Sequence, residues 1–498
     1  MRSLYSGVSG LRVHQTKMDV IGNNIANVNT IGFKASSVQF TDILYQTTKT
    51  ASGANASTGT AGTNAQQIGL GASVAAIKTS ITTSGGAQRT DNATDLMING
   101  NSFFVVSKAG STYYTKAGSF TTDSAGNLAT ESGALVMGWK ADANGNIVKT
   151  AVTNLDVMSE ANQTAEPEAT SKAYVTGNID PADTNLKKGV DYQVSVFDNL
   201  GEKYTVKFKM TETTTAGVYS TSVADVVDSN GVSIFVKKDP ATGLYSADTT
   251  VEIKLDALSI KAPSNASDVD STTGEVKSVT ATGTAPTVVF DAITGKFKNV
   301  TGTNATDATG TTTGTGTKIN IPLIINNADQ TFDVKTATGT SDRSIMIDYS
   351  TMTQYATTGT SNPQGYAGDT EGTGKGKKVG SLSGISIDTS GKIYGKYDND
   401  TTKLLGQLSV ASFSNPAGLE SIGGNLFAAT VNSGEFDGIG QEITQGGGSF
   451  TAGALEMSNV DLSKEFTEMI TTQRGFQANS RIITTSDSML EELVNLKR

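Results

Sequence analysis

Helical periodicity is confined to the two ends of the chain. In Met1–Asn27, Leu4, Val8, Leu11, Gln15, Met18, Gly22 and Ile25 recur at alternating steps of four and three, a heptad seam whose non-apolar members are Gln15 and Gly22. In Asp461–Arg498, Leu462, Phe466, Met469, Phe476, Ile483 and Leu490 keep a similar register. A second stripe, Ile482, Met489, Leu493 and Leu496, joins it toward the C-terminus. Each helix carries an apolar stripe that its own sequence leaves uncovered, so the two ends are expected to meet. Set antiparallel, they would bring Leu4 and Leu11 near Leu493 and Met489, and Arg2 and Arg12 near Glu491 and Glu492. Asn27, Asn29, Thr30 and Gly32 should stop the first helix. Asn459 or Asp461 can cap the second, with Glu465 and Glu468 at its positive end and Lys497 and Arg498 at its negative end.

Between these ends the pattern is that of β-structure. Phe33–Tyr45 reads as extended, 47–67 as an exposed loop of Thr, Ser, Ala, Gly and Asn, and 69–81 as β again. Asp95–Ile147 is the clearest β segment, with hairpin turns at Asp123–Asn127 and Asp142–Asn146. Glu160–Pro167 is polar and suits a boundary. Strand-like alternation resumes at Tyr174–Met210 and continues through Val288–Phe290 and Ile345–Ile347, with Pro263–Thr273 and Thr301–Thr317 read as loops. Ile385–Tyr397 and Leu404–Phe413 are strands, and Gly418–Gly453 leads into the last helix. The expected fold class is α+β and multidomain: paired terminal helices forming a coiled-coil-like core domain, with two or more β-rich domains inserted between them.

Composition narrows the function. A chain of 498 residues calls for about three to four domains. Charged residues make up only 17%, below the usual value of about 25%, so the surface is polar but sparsely charged. A net charge of −10 without a basic stripe argues against nucleic acid. Cysteine is absent, which removes disulfides, thiolate metal sites and cysteine nucleophiles. No stretch has the ~20 apolar residues of a membrane span, and the N-terminus lacks a Sec-type apolar core. The single histidine, His14, reads as a polar-face residue of the first helix and cannot build a zinc site or a triad alone. Asp142–Asn146 reads as a hairpin turn rather than a calcium loop, because its glycine is misplaced and no bidentate Glu follows. No catalytic residue, cofactor-binding residue or metal ligand is assigned. One feature of the last helix stands apart. Gln473, Gln477, Ser480 and Thr484 share a face opposite Ile482, Met489 and Leu493, an uncharged strip that would suit a solvated face or a wet channel.

Four stretches carry a family resemblance. They are Ile21–Lys34 (IGNNIANVNTIGFK), Ala93–Val106 (ATDLMINGNSFFVV), Gly453–Leu462 (GALEMSNVDL) and Met469–Arg481 (MITTQRGFQANSR) continuing to Arg498. Together they resemble the bacterial flagellar hook and rod family, whose signature positions fall here on Asn27, Asn29, Thr30, Gly32, Phe33, Asn459, Asp461 and Asn479. The middle of this chain is long, which points to the hook branch rather than the shorter distal rod members. One departure is Gly475-Phe476, where the family pattern leads one to expect Ala-Tyr. Glycine costs about 1 kcal/mol in a helix interior, so this suggests a softer point.

The resemblance implies a structural polymer and no enzyme. Leu4, Val8, Leu11, Met18, Ile25, Phe466, Met469, Phe476, Ile482, Ile483, Met489, Leu490 and Leu493 would form its polymerisation core, with Gln473, Gln477, Ser480 and Thr484 lining an export channel. The implied domains are 1–30 with 458–498 as helical core, 31–80 with 431–457 as connecting segment, 81–160 with 366–430 as inner β-domain, and 161–365 as outer domain or domains, subdivided around 215–315. The hollow curved tube would act as a universal joint in motility, outside the cell, exported by the flagellar type III apparatus. Implied partners are further copies of itself and the distal rod, hook cap and hook–filament junction proteins, with no cofactor, nucleic acid or membrane insertion. An isolated helix of this length is marginal in water, so ordering of the ends is expected to accompany assembly. The rival readings are a β-rich adhesin or surface-layer protein, a distal-rod-like member, and a carbohydrate-active enzyme on the same β-domains.

Overall fold

Helices occupy both ends of the chain, Arg2–Ala26 and Leu462–Asn495. In this computed structural model the described residues are 2–54, 59, 61–142, 145–249, 251–255, 258–302, 305–306, 314–322, 334–335, 341–342 and 344–496. Asp461 caps the second helix, its carboxylate accepting from the Ser463 and Lys464 amides at 2.9 and 3.2 Å. The first helix unwinds through Asn27, and Gly32 then takes a left-handed φ of 70°. The fold is α+β, with a helix at each end and β-rich structure between.

The chain divides into two units. The first comprises Met1–Gln163, Ser383–Lys396 and Thr402–Arg498. Its departing and returning strands interleave. The hairpin Phe103–Lys108 and Ser111–Thr115 takes Val410–Ala411 along one edge and Leu426–Ala428 along the other. Leu135–Lys140 pairs with Thr402–Leu408, and Leu96–Asn99 pairs with Ser449–Ala452. Phe104 anchors the core, stacked on Phe450 at 5.6 Å and edge-on to Phe120 at 4.9 Å. Trp139 is buried and donates its indole N–H to the Thr150 carbonyl at 3.0 Å.

An arm rises from this unit beside the first helix. Ser36–Asp42 pairs antiparallel with Ala72–Thr79, and Tyr45–Lys49 continues the ladder with Gln66–Gly69. The stretch 47–67, expected as a loop, is therefore partly a hairpin. Both faces of its strands are exposed, so no apolar alternation marks them.

The second unit comprises Thr164–Leu382 and Tyr397–Thr401. Its main sheet orders Val190–Phe197, Lys203–Glu212, Val218–Val227, Thr287–Phe290, Phe297–Thr301 and Thr315–Gly316 in antiparallel sequence. Tyr192 stacks on Phe208 at 5.1 Å, and its hydroxyl bonds those of Thr221 and Tyr349 at 2.8 and 2.9 Å. A second sheet runs Lys172–Asn178 parallel to Ser344–Asp348 and antiparallel to Gln364–Ala367. The tract Thr301–Thr317, expected as a loop, contributes the short strands Ala305–Thr306 and Thr315–Gly316. The chain re-enters the first unit at Ser383, later than 366, because Ser171 and Lys172 bond Gly374 and Glu168 pairs with Lys377 within the second unit.

Candidate assembly site

The terminal helices lie antiparallel, and their contact can be read residue by residue. Ser3 meets Ser486 at 3.4 Å between hydroxyls, and the Lys17 ammonium meets the Glu468 carboxylate at 3.1 Å. Asn24 donates its amide to Glu465 at 3.1 Å. Between them Gly7 faces Ile483, Gly10 faces the Asn479 amide, and Gly475 faces His14. The seam on the first helix therefore includes Ser3, Gly7, Gly10, His14, Lys17 and Asn24, with the buried Ile21 in the same series, and it is mostly small or polar. The expected register is corrected here. Within one chain, Leu4 and Leu11 do not meet Leu493 and Met489: Ser3 lies opposite Ser486 and Gly10 opposite Asn479. The last helix is thus displaced by about two to three turns from the expected register, and the glycines turn a face one residue earlier into the contact. One residue is 100° of helix.

His14 is also corrected. It sits in the seam, edge-on to Phe40 at 6.1 Å, and burial, then Lys17, lowers its pKa. A Cβ at Gly475 would lie 2.7 Å from the imidazole, so glycine there makes room for His14. Gly475→Ala should gain its helix propensity of about 1 kcal/mol only when His14 is also shortened to Ala. Thermal unfolding of the helices by far-ultraviolet circular dichroism in both backgrounds checks this. Equal stabilisation in the two would refute the contact.

The apolar stripes are left half-buried or exposed. Leu4, Leu11, Met18, Ile25, Met469, Phe476 and Ile483 are half-buried, while Val8, Phe466, Ile482, Met489, Leu490 and Leu493 are exposed. Gln473, Gln477 and Thr484 are exposed and Ser480 is half-buried, on the side away from the first helix. Toward the N-terminus that same row continues as exposed Phe466 and Ile470, so the polar strip begins only at Gln473.

Below the helices the signature residues knot the chain. Asn24 holds both backbone groups of Ser36, at 2.8 and 3.0 Å, so one amide joins the first helix, the arm and the last helix. Gly32 donates to the Glu456 carbonyl at 2.7 Å, and any Cβ on it would lie 2.8 Å from the Ala117 nitrogen. Asn459 accepts from Ala35 at 2.7 Å and donates to Ser80 and Thr83. Thr30 donates to Asn27 at 3.1 Å, Phe33 closes a turn onto Thr30, Asn479 bonds back to Gly475, and Asn29 is exposed. At the centre, Lys34 and Glu456 form an ion pair at 2.7 Å with side chains 1% and 0% exposed. Lys34 also donates to the Thr83 carbonyl, and Glu456 accepts from Gly85. Lys116 stands in the same region, bonded to the Gly100 carbonyl at 2.7 Å and over the Phe103 ring. Burial lowers its pKa to about 8, against the pull of Glu456 and with the push of Lys34. From sequence, Glu465 reads only as a charge at the positive end of the last helix, Asn24, Lys34 and Glu456 only as parts of the family stretches, and Lys116 is not marked at all. Their joining is not legible, since partners 422 residues apart leave no periodic trace.

Among the described residues no three His, Asp or Glu side chains gather as a metal site, and no helix is long and apolar enough to cross a membrane. At the Asp142 turn the Asp142 amide donates to the Asn146 carbonyl at 2.8 Å and Ala141 bridges antiparallel to Ile147.

Comparison with known proteins gives the following. Residues 4–34 match the flagella basal body rod protein family, 97–165 the flagellar hook protein FlgE/F/G D1 domain, and 451–496 the flagellar basal body rod FlgEFG protein C-terminal family. Flagellar hook protein FlgE of Treponema pallidum is 34% identical over 517 aligned residues, covering 100% of both chains. That of Borreliella burgdorferi is 33% identical, again over 100% of both. The flagellar basal-body rod protein FlgG of Bacillus subtilis is 27% identical over 100% of both.

Proposed function

The chain belongs to the flagellar hook protein family and is a structural subunit of the flagellar hook, and from that premise we propose how its ends build the assembly. The helix pair is completed by other copies. It spends its small, polar seam on the contact within one chain and leaves its apolar stripes for the contacts between chains. That division of faces is the observation that carries the reading. Copies arranged around an axis would bury Val8, Phe466, Met489, Leu490 and Leu493 and form the coiled-coil-like core of a hollow curved tube. The knot around Lys34 and Glu456 would then fix the β-rich inner domain rigidly to that core. Torque would pass through it, while the outer domains slide past one another as the tube turns. On this reading 1–30 with 458–498 is the helical core and 31–80 the connecting arm, while 431–457, drawn as connecting segment from sequence, joins the inner β-domain, since Ser449–Ala452 pairs with Leu96–Asn99 and Phe450 stacks on Phe104. Export by the type III apparatus, and junctions with distal rod, cap and filament-junction proteins, complete the proposal.

The channel would be lined by Gln473, Gln477, Ser480 and Thr484. Hydroxyls and amides wet such a wall without offering a fixed charge to a passing chain. Replacing Gln477 and Thr484 together by Lys should stop hook growth in cells or leave stubs. The thermal midpoint of the soluble subunit should stay within about 2 °C, since both positions are exposed. Hooks of normal length in that variant, seen by electron microscopy, would remove the channel role.

A further inference from the structure

The single histidine of the chain stands where three elements meet. His14 is half-buried in the seam of the terminal helices. Across it the last helix presents Gly475, where an added Cβ would lie 2.7 Å from the imidazole Cε1 and 2.8 Å from Nε2. From the arm, the Phe40 ring meets it edge-on at 6.1 Å. Its Nδ1 is buried and has no hydrogen-bond partner among the described residues.

A neutral imidazole suits this place and a charged one does not. Protonation makes both ring nitrogens donors, so Nδ1 would carry a buried N–H without an acceptor. The charges around it offer no relief. On its own helix the neighbour is Lys17, itself a cation, whose ammonium already lies over the Phe40 ring at 6.0 Å. On the last helix Glu468 binds Lys17 at 3.1 Å and stands about 10 Å of helix from Gly475. Glu465 lies further along and accepts from Asn24 at 3.1 Å. Arg474, next to Gly475, is another cation and bonds Gln477 at 3.2 Å. In the arm, Ser36–Asp42 has one acidic residue, Asp42, which bonds the Tyr45 hydroxyl, and Ala72–Thr79 has one charge, Lys78.

We propose that His14 makes closure of the terminal helix pair sensitive to protons. Near neutral pH the pair is shut with the arm against it, and mild acid parts the helices at His14 and frees Phe40. This is a property of one chain and does not depend on how copies assemble. Burial, then Lys17, lowers the imidazole pKa from 6.5, so the opened chain takes up a proton before the closed one. The contribution of His14 to closure is complete above pH 6.5 and is lost as pH falls below it toward the lowered value. The helices are marginal alone, so a modest proton-linked loss is enough to part them.

One histidine gives one imidazole signal. In the soluble full-length chain, isotope-labelled at histidine, nuclear magnetic resonance should show a titration midpoint below 6.5. Far-ultraviolet circular dichroism from about pH 7.5 to about pH 5.5, above the ordinary carboxylate range, should show a reversible loss of helical signal. His14→Gln, which stays neutral throughout, should abolish that loss. An imidazole midpoint at or above 6.5, no loss of helical signal in the unmodified chain, or an undiminished loss in His14→Gln each overturns the switch. Should His14→Gln fail to fold, the imidazole midpoint and the helical signal of the unmodified chain decide the matter.

Discussion

Deleting residues 1–27, or separately 461–498, abolishes polymerisation and leaves the β-rich structure folded. The first half of that result follows from what the helices leave uncovered. Val8, Phe466, Ile482, Met489, Leu490 and Leu493 are exposed on the isolated subunit. Fully burying one such side chain is worth about 1.5–3 kcal/mol. Even if ordering and rotational losses cancel most of that sum, about 2.7 kcal/mol surviving per contact shifts the polymerisation threshold a hundredfold. Either truncation removes one whole side of the pair, and the helix that remains is marginal alone. The second half follows from the core of the first unit, whose aromatic cluster around Phe104 lies outside both deleted segments. Trp139, the single tryptophan, is buried in the same unit and reports on whether it stays folded. Sedimentation should show soluble subunits at concentrations a hundredfold above the threshold of the full chain, with Trp139 emission still that of a buried indole. Polymer from either truncation would refute the role given to the ends. Loss of the native Trp139 emission would show instead that the helices hold the β-structure together.

How much of this was legible in the sequence depends on which period one reads. The apolar heptad at Leu4, Val8, Leu11, Met18 and Ile25, and the matching stripe at Phe466, Met469, Phe476, Ile483 and Leu490, announce the two helices correctly. They do not announce their contact, because a second 4-3 series runs one residue earlier through Ser3, Gly7, Gly10, His14, Lys17, Ile21 and Asn24. Glycine, serine and asparagine in that series look like neutral filler until two backbones are seen to approach there. The hidden part of the knot has a different cause. Lys34 follows Gly32-Phe33 and Glu456 follows Ala454-Leu455, and each looks like a single solvated charge ending a strand or turn. Their contact is set by the closure of the whole chain between them, which no local pattern records. The inner part of the arm reads correctly as extended and β, but its outer hairpin, Tyr45–Lys49 with Gln66–Gly69, is missed for a third reason: strands exposed on both faces carry no alternation to detect.

The ion pair in that knot sets the second large effect. Glu456→Gln or Lys34→Met should each destabilise the first unit by about 3–5 kcal/mol, since each leaves one charge without its partner where water cannot reach it. Urea unfolding followed by Trp139 fluorescence measures this as a lower midpoint at constant slope. The double variant should cost less than the sum of the two, because the second change removes a charge already left unpaired. Lys116 adds a pH signature. Its pKa is about 8 in the folded protein and 10.5 in a free chain, so between those values the unfolded chain holds a proton that the folded one has shed. Stability therefore rises with pH through that window, and below pH 8 the full penalty of the buried ammonium is present. Tyr114, raised to about 12 by burial, works the other way above pH 10, so the gain should be read between pH 8 and 10. Glu456 is the charge that supports the Lys116 ammonium. In Glu456→Gln that support is gone while the push from Lys34 remains, so the rise should begin below pH 8. A profile that is flat from pH 8 to 10 in the unmodified chain, or unchanged in the variant, would mean that Lys116 does not share the field of the Lys34–Glu456 pair.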